Sequence, residues 1–209
     1  MPKNTTDDPQ DEHTERPTAA APGSAARFAR ALAAEVRSVW LRWGTARLLA
    51  SLLPNHALIR LRTSIYRAGG LCVGYGTVFY GSATVWGPPG ASVKRLVIGR
   101  HCRLNSPIYF ELDAEIRIGD SVAIGPGVML LTANHAMEDG RNRAGLNRVA
   151  PIRIGDGCWI CAGSIILPGI AIGSGAVVGA GSIVAADVPP DTLVAGNPAR
   201  FIRALPKID

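Results

Sequence analysis

Three groups of side chains in this 209-residue chain are of types that could do chemistry. His135 ends the run Thr132-Ala133-Asn134-His135, in a polar stretch that also holds Glu138 and Asp139. A neutral imidazole, with a reference pKa near 6.5, suits taking a proton from an attacking hydroxyl or amine near neutral pH; either carboxylate could orient it or merely face water. Cys158-Trp159-Ile160-Cys161 has the spacing of a redox pair or of half a metal site, but no second such pair accompanies it. Arg200 and Arg203 could clamp a phosphate or form a solvated basic end. His13, His56 and His101 read as structural or solvated.

The element that must position these residues is an internal repeat. Aliphatics fall at Ile154, Ile160, Ile166, Ile172, Val178 and Val184, a period of six residues. Four residues after each stand Cys158, Ser164, Ile170, Ala176, Ser182 and Val188, which are mostly small or β-branched. The same beat runs through Ile98, Leu104, Phe110 and Ile116, then, shifted by two, through Ile118, Ile124 and Leu130, with a fainter series at Val73, Phe79 and Val85. Neither helix nor ordinary strand has this period. A coil of triangular section does: each face is a short strand from one hexad, three hexads complete a turn, and equivalent aliphatics stack about 4.8 Å apart. The fold class predicted is mainly β, a parallel β-helix over 71–203, with corners such as Ile118-Gly119-Asp120 and Ile154-Gly155-Asp156. Cys158 becomes an inward residue and Cys161 a corner, so neither needs a metal.

The repeat also predicts its own interruption. Continued from Leu130, it would turn Ala136, Asn142 and Arg148 inward, and burying the last two without partners is costly. Residues 133–150 therefore leave the coil as an extruded loop, with His135 on it. Residues 1–24 are polar, proline-containing and aperiodic, which predicts a disordered tail; residues 204–209 form a C-terminal tail. Residues 25–70 read as a basic helical arm. Leu32, Val36, Val39, Trp43, Ala46 and Ala50 form its apolar stripe, Pro54 ends its first helix, and a second runs from about His56 to Arg67. The stripe packs on the main domain or a neighbouring subunit, or the arm lies on an anionic membrane surface.

Charge is unevenly spread, with net −3 over residues 1–16 and net +7 from Arg27 to Arg67. The start of the chain lacks a signal-peptide pattern and no apolar run is long enough to span a bilayer, so a cytoplasmic protein with reduced thiols is expected. Nucleic-acid binding is not expected, because the basic residues lack aromatic interleaving or a known module.

A hexad repeat in this register resembles the bacterial hexapeptide-repeat acyltransferases over about residues 71–203. Within that group the chain is most similar to the maltose, galactoside and nodulation-factor O-acetyltransferases and to colanic-acid acetyltransferases. The resemblance is carried by Gly155-Asp156-Gly157-Cys158-Trp159-Ile160, Gly179-Ala180-Gly181-Ser182-Ile183-Val184 and Ala195-Gly196-Asn197-Pro198-Ala199-Arg200-Phe201-Ile202-Arg203. It implies a left-handed coil, a homotrimer, acetyl-CoA as co-substrate in the groove between subunits, and transfer of acetyl to a small-molecule hydroxyl with no metal. It places His135 and Asn105 on catalytic positions, with Asn105 and Asp113 facing the acceptor, and Trp159, Ala162, Ala180, Arg200 and Arg203 on coenzyme A. The family often has Thr-Lys where this chain has Ala185-Ala186, which implies either that coenzyme A rests more on Arg200 and Arg203 or that the donor differs. Antibiotic acetylation, N-acyl transfer and a non-enzymatic scaffold are the competing readings. A γ-carbonic anhydrase shares the fold but needs three zinc-binding histidines, and only His101 and His135 lie in the coil.

Overall fold

The computed structural model describes residues 28–29, 41–88, 91–141 and 143–206. The tail expected over 1–24, residues 207–209, Asn142, and Leu32, Val36 and Val39 of the predicted stripe lie outside the described residues.

The hexads wind into a three-sided coil. β1 (Cys72–Val73), β2 (Val78–Phe79) and β3 (Ala83–Trp86) make the first turn, and β4 (Leu96–Ile98), β5 (Arg103–Leu104) and β6 (Ile108–Glu111) the second. The third comprises β7 (Ile116–Ile118), β8 (Ala123–Ile124) and β9 (Val128–Leu130). After a hairpin of β10 (Ala133–Met137) and β11 (Ala144–Val149), β12 (Ile152–Ile154), β13 (Trp159–Ile160) and β14 (Ile165–Ile166) resume the coil. β15 (Ala171–Ile172), β16 (Val177–Val178) and β17 (Ile183–Val184) follow, then β18 (Thr192–Gly196) and β19 (Ala199–Ala204). One face stacks β1-β4-β7-β12-β15, the second β2-β5-β8-β13-β16-β18, and the third β3-β6-β9-β14-β17, all in parallel register. β19 folds back antiparallel on β18. The architecture is a left-handed parallel β-helix with a helical N-terminal arm and an extruded segment.

Period six persists because the interior has room for only two inward side chains per hexad. Ile154, Ile160, Ile166, Ile172, Val178 and Val184 are all buried, as are Cys158, Ser164, Ile170, Ala176, Ser182 and Val188. The inward hydroxyls are satisfied locally: Ser164 and Ser182 both donate to the Gly179 carbonyl, at 3.0 and 2.6 Å. Burying each aliphatic contributes about 1.5–3 kcal/mol.

At the corner between first and second faces, Gly74, Gly99, Gly119, Gly155 and Gly173 stand where successive backbones nearly touch. The residues after them form a ladder. The Arg100 N–H donates to Asp120 Oδ1 at 2.7 Å, the Asp120 N–H to Asp156 Oδ1 at 2.7 Å, and the Asp156 N–H to Ser174 Oγ at 3.2 Å. The Arg100 backbone N–H and guanidinium together hold the Asp120 carboxyl below the usual carboxylate range.

The described part of the arm comprises α1 (Leu41–Ser51) and α2 (Ile59–Ala68), the latter beginning three residues later than expected because His56 and Leu58 adopt positive φ. Trp43, Ala46 and Ala50 of the stripe are buried, and Trp43 stacks on Tyr66 with ring centroids 5.1 Å apart. α2 closes the open end of the coil. The Phe79 N–H donates to Thr63 Oγ1 at 3.3 Å and the Ala83 N–H to Tyr66 Oη at 3.2 Å, satisfying donors of the first turn that have no turn beneath them. Buried Arg62 donates to the Leu53 and Pro54 carbonyls at 2.6 and 3.0 Å, just past the C-terminal end of α1. Among the described residues no helix is long and apolar enough to cross a membrane.

Two predictions follow from the corner. A Cβ on Gly99 would lie 2.5 Å from the carbonyl carbon of Gly119, so Gly99→Ala is expected to destabilise by about 1–3 kcal/mol, read as a lowered thermal midpoint. Because the folded-state pKa of Asp120 is depressed, its contribution is complete above the unfolded value near 4 and is lost as pH falls through the folded value. Asp120→Asn should therefore flatten the acid limb of the stability curve below about pH 4, measured by denaturation across pH.

Candidate active site

The segment expected as a loop is an ordered antiparallel hairpin. β10 pairs with β11 through Ala133↔Val149, Asn134↔Arg148 and His135↔Asn147. Pairing the two limbs with each other satisfies backbone groups that could not join the parallel stack. The Ala150 N–H donates to the Thr132 carbonyl at 2.9 Å and closes the neck. Ala136 is half-buried and Arg148 exposed, so neither enters the coil interior.

His135 is exposed on β10, and its Nδ1 lies 2.8 Å from the Gly145 carbonyl oxygen. A carbonyl only accepts, so Nδ1 carries the proton, and in the neutral imidazole the lone pair is then on Nε2. The orienting group is therefore backbone. The Glu138 Oε1 accepts from the Leu146 N–H at 3.1 Å and so braces the strand that presents Gly145. Asp139 accepts from the Arg141 N–H at 2.8 Å, within the hairpin turn.

Asp113 lies at the corner from which the hairpin springs. Its Oδ1 accepts from Asn147 Nδ2 at 3.3 Å, and Asn147 is the cross-strand partner of His135, so Asp113 and His135 share one locality. Arg95 pins that corner by donating to the Leu112 and Asp113 carbonyls at 3.0 and 2.8 Å.

Asn105 lies elsewhere. It follows β5 at the corner between second and third faces, and its Nδ2 donates to the Ile124 carbonyl at 3.3 Å. Ala162 and Ala180 stack along that same edge, with the Gly181 N–H donating to the Ala162 carbonyl at 2.9 Å. Trp159 projects from the second face with 56% of its surface exposed, between Ala123 and Val177. Arg200 and Arg203 are exposed on β19, at the end of that face. Within one chain, the residues assigned to coenzyme A and Asn105 thus lie along the second face and its far edge, while His135 and Asp113 lie across the third face from that edge.

The cysteines do not form a reactive pair. Cys158 is buried and donates to the Gly173 carbonyl at 3.1 Å, and burial pushes its thiol up to about 11. Burial also raises the Cys161 thiol. Both are thereby kept as thiols, the form that neither attacks nor binds metal. Among the described residues no group of three or more His, Cys, Asp or Glu side chains could hold a metal ion.

Four contributors escaped the sequence reading: the Gly145 carbonyl, Asn147, Glu111 and Thr132. The Gly145 carbonyl leaves no side-chain signal. The others carry polar groups, but their relevance depends on contacts 18 to 34 residues away in sequence.

The family described as bacterial transferase hexapeptide (six repeats) matches residues 151–186. Nodulation protein L of Rhizobium meliloti is 36% identical over 173 residues, spanning 74% of this chain and 94% of that protein. A hexapeptide-repeat acetyltransferase from Vibrio cholerae superposes with a TM-score of 0.70 at 32% identity, covering 84% of this chain and 94% of that one. The same protein solved with acetyl coenzyme A gives a TM-score of 0.64 at 32% identity, covering 83% and 90%. A maltose O-acetyltransferase from Clostridium difficile gives 0.64 at 30% identity, covering 84% and 89%. With a relative this similar along nearly its whole length, and a coil of the same design, the chain belongs to the hexapeptide-repeat acetyltransferase family.

Proposed function

We propose that the protein is an acetyl-CoA-dependent O-acetyltransferase that acetylates a hydroxyl of a sugar or other small molecule, at a site completed between subunits of a trimer. The observation that carries this reading is the contact of His135 Nδ1 with the Gly145 carbonyl, which in the neutral imidazole puts the proton on Nδ1 and the lone pair on Nε2, on an exposed hairpin. The acetyl-CoA complex of the Vibrio cholerae relative supports the donor, and the similarity to a maltose O-acetyltransferase supports a sugar-like acceptor.

Bound acetyl-CoA would supply the thioester carbonyl. His135 Nε2 takes the proton from the acceptor hydroxyl as its oxygen attacks that carbonyl. When the tetrahedral adduct collapses, the C–S bond breaks, and His135 returns the proton to the departing thiolate. The products are the O-acetyl ester and free coenzyme A, and the imidazole ends neutral. Asp113, already an acceptor of the Asn147 amide, offers its remaining oxygen lone pairs to a second hydroxyl of the acceptor.

The donor fits the edge bearing Ala162 and Ala180. Short side chains there leave a smooth ledge beside Trp159, and Arg203 and Arg200, whose Nη1 also donates to the Ala199 carbonyl at 3.1 Å, are exposed to meet phosphates. Ala185 and Ala186 are exposed and add no cation. That ledge and His135 occupy separate parts of one prism. A second copy packed around a threefold axis brings the hairpin of one subunit against the ledge of the next, which is the geometric support for a trimer.

Thiol release from acetyl-CoA with maltose, galactosides and other sugars as acceptors tests the activity. His135→Ala is expected to lower kcat by about 10²–10⁴-fold, whereas Arg200→Ala and Arg203→Ala should chiefly raise the KM for acetyl-CoA. Parental turnover by His135→Ala would remove the proposed mechanism. If sites form between subunits, mixing inactive His135→Ala chains with Asn105→Ala chains through unfolding and refolding should restore roughly a quarter of parental activity. A mixture no more active than its parts would argue for sites contained in single chains.

A further inference from the structure

We propose that Glu111 is a positioning residue for the catalytic hairpin, setting the direction in which His135 projects; this rests on His135 being the base. Glu111 ends β6 at the corner below the hairpin neck. Its Oε2 accepts two backbone donors, the Thr132 N–H at 2.9 Å and the Ala133 N–H at 2.8 Å, and its Oε1 accepts the Trp86 indole N–H at 3.4 Å. One carboxylate thus holds the two peptide units at which the chain turns out of the coil, two residues before His135.

The coil does not need that carboxylate to stay closed. The Leu131 N–H donates to the Ile166 carbonyl at 3.0 Å, and the Ala150 N–H reaches the Thr132 carbonyl. Buried Thr132 donates its hydroxyl to the Glu111 backbone carbonyl at 2.7 Å and accepts the Ala114 N–H at 3.1 Å. These bonds lock the base of the neck through main-chain atoms and Thr132. What the Glu111 side chain adds is the angle of the first hairpin peptide: Ala133 pairs with Val149 across the ladder, and among the described residues its N–H donates to this oxygen. A lever this short turns a small rotation at Ala133 into a displacement of the imidazole. A base misplaced by about 1 Å loses on the order of a hundredfold in rate. Glu111 reaches the reacting atoms only through the hairpin, so its effect belongs in kcat, with donor binding spared.

The test compares parent, Glu111→Ala, Glu111→Gln, His135→Ala and the Glu111→Ala/His135→Ala double variant. Each is assayed by thiol release with acetyl-CoA and whichever of maltose or galactose the parent acetylates. Glu111→Ala is expected to lower kcat by about ten- to a hundredfold while leaving the KM for acetyl-CoA within about twofold. Glu111→Gln, which keeps a carbonyl oxygen at the same reach, should recover most of the loss. In the His135→Ala background, removal of Glu111 should cost nothing more. Nitrogen-15 spectra of labelled histidine should show the Nδ1–H tautomer of His135 in the parent and a mixture in Glu111→Ala. Should Glu111→Ala not fold, Glu111→Met, with the stem retained and the acceptor deleted, carries the same comparison. Parental kcat in the Glu111 variants beside an inactive His135→Ala overturns the positioning role and leaves the base assignment standing. An equal loss from Glu111→Ala in both backgrounds also overturns it, since Glu111 would then act independently of His135. Full activity in His135→Ala sinks the base assignment and this inference with it.

Discussion

Successive turns of the coil stack about 4.8 Å apart, exchanging backbone N–H···O=C bonds in both directions with the turns on either side, and every other feature is subordinate to that spacing. Strands of two to four residues would be marginal alone, but each is one rung of a face in which every interior neighbour is satisfied. The spacing also dictates which residues are tolerated. Inward positions meet only their equivalents above and below, so an aliphatic stacks on an aliphatic, and a small residue on a small one. At the corners the backbones come so close that the column of Gly99, Gly119, Gly155 and Gly173 cannot accept a Cβ.

A solenoid of this kind has two exposed ends and a repeat that can be broken only by ejecting the chain sideways. The beginning of the coil is closed by α2, whose Thr63 and Tyr66 oxygens take the orphaned N–H groups of the first turn. That gives the described part of the basic arm a structural task independent of any membrane or partner. The other end is finished by β19 folding back along β18, which also carries Arg200 and Arg203 to the outside of the prism. The sideways ejection is the hairpin. Since its two limbs bond to each other, it is a rigid platform, and a rigid platform can fix the tautomer and aim of an imidazole as a floppy loop cannot.

In the reading proposed above, the residues of the site lie on different sides of one prism. A prism has faces that look in different directions, and no flexing of a stacked coil brings the second-face edge carrying Asn105, Ala162 and Ala180 to the hairpin carrying His135. Function and assembly are therefore coupled in the reading proposed above: the fold that places each group so firmly also requires a neighbour to complete the set.

The amino-acid sequence alone determined the coil, its register and the break that ejects the hairpin, though not the excursion between β3 and β4 that includes the 3-10 turn Val93–Arg95. Period six over Ile154 to Val184 has one packing solution, and Asn142 and Arg148 at inward positions admit none. It also determined that Cys158 is a core thiol, because its position in the hexad decides burial and burial decides its protonation. It marked His135 as the imidazole on the ejected segment. It did not reveal that the segment is a hairpin, because pairing of its limbs depends on main-chain geometry with no periodic signature. Nor could it find the Gly145 carbonyl, the Asn147–Asp113 bond or the grip of Glu111 on the neck. Each joins atoms far apart in sequence and close only after the coil has stacked, so only the tertiary structure decided them.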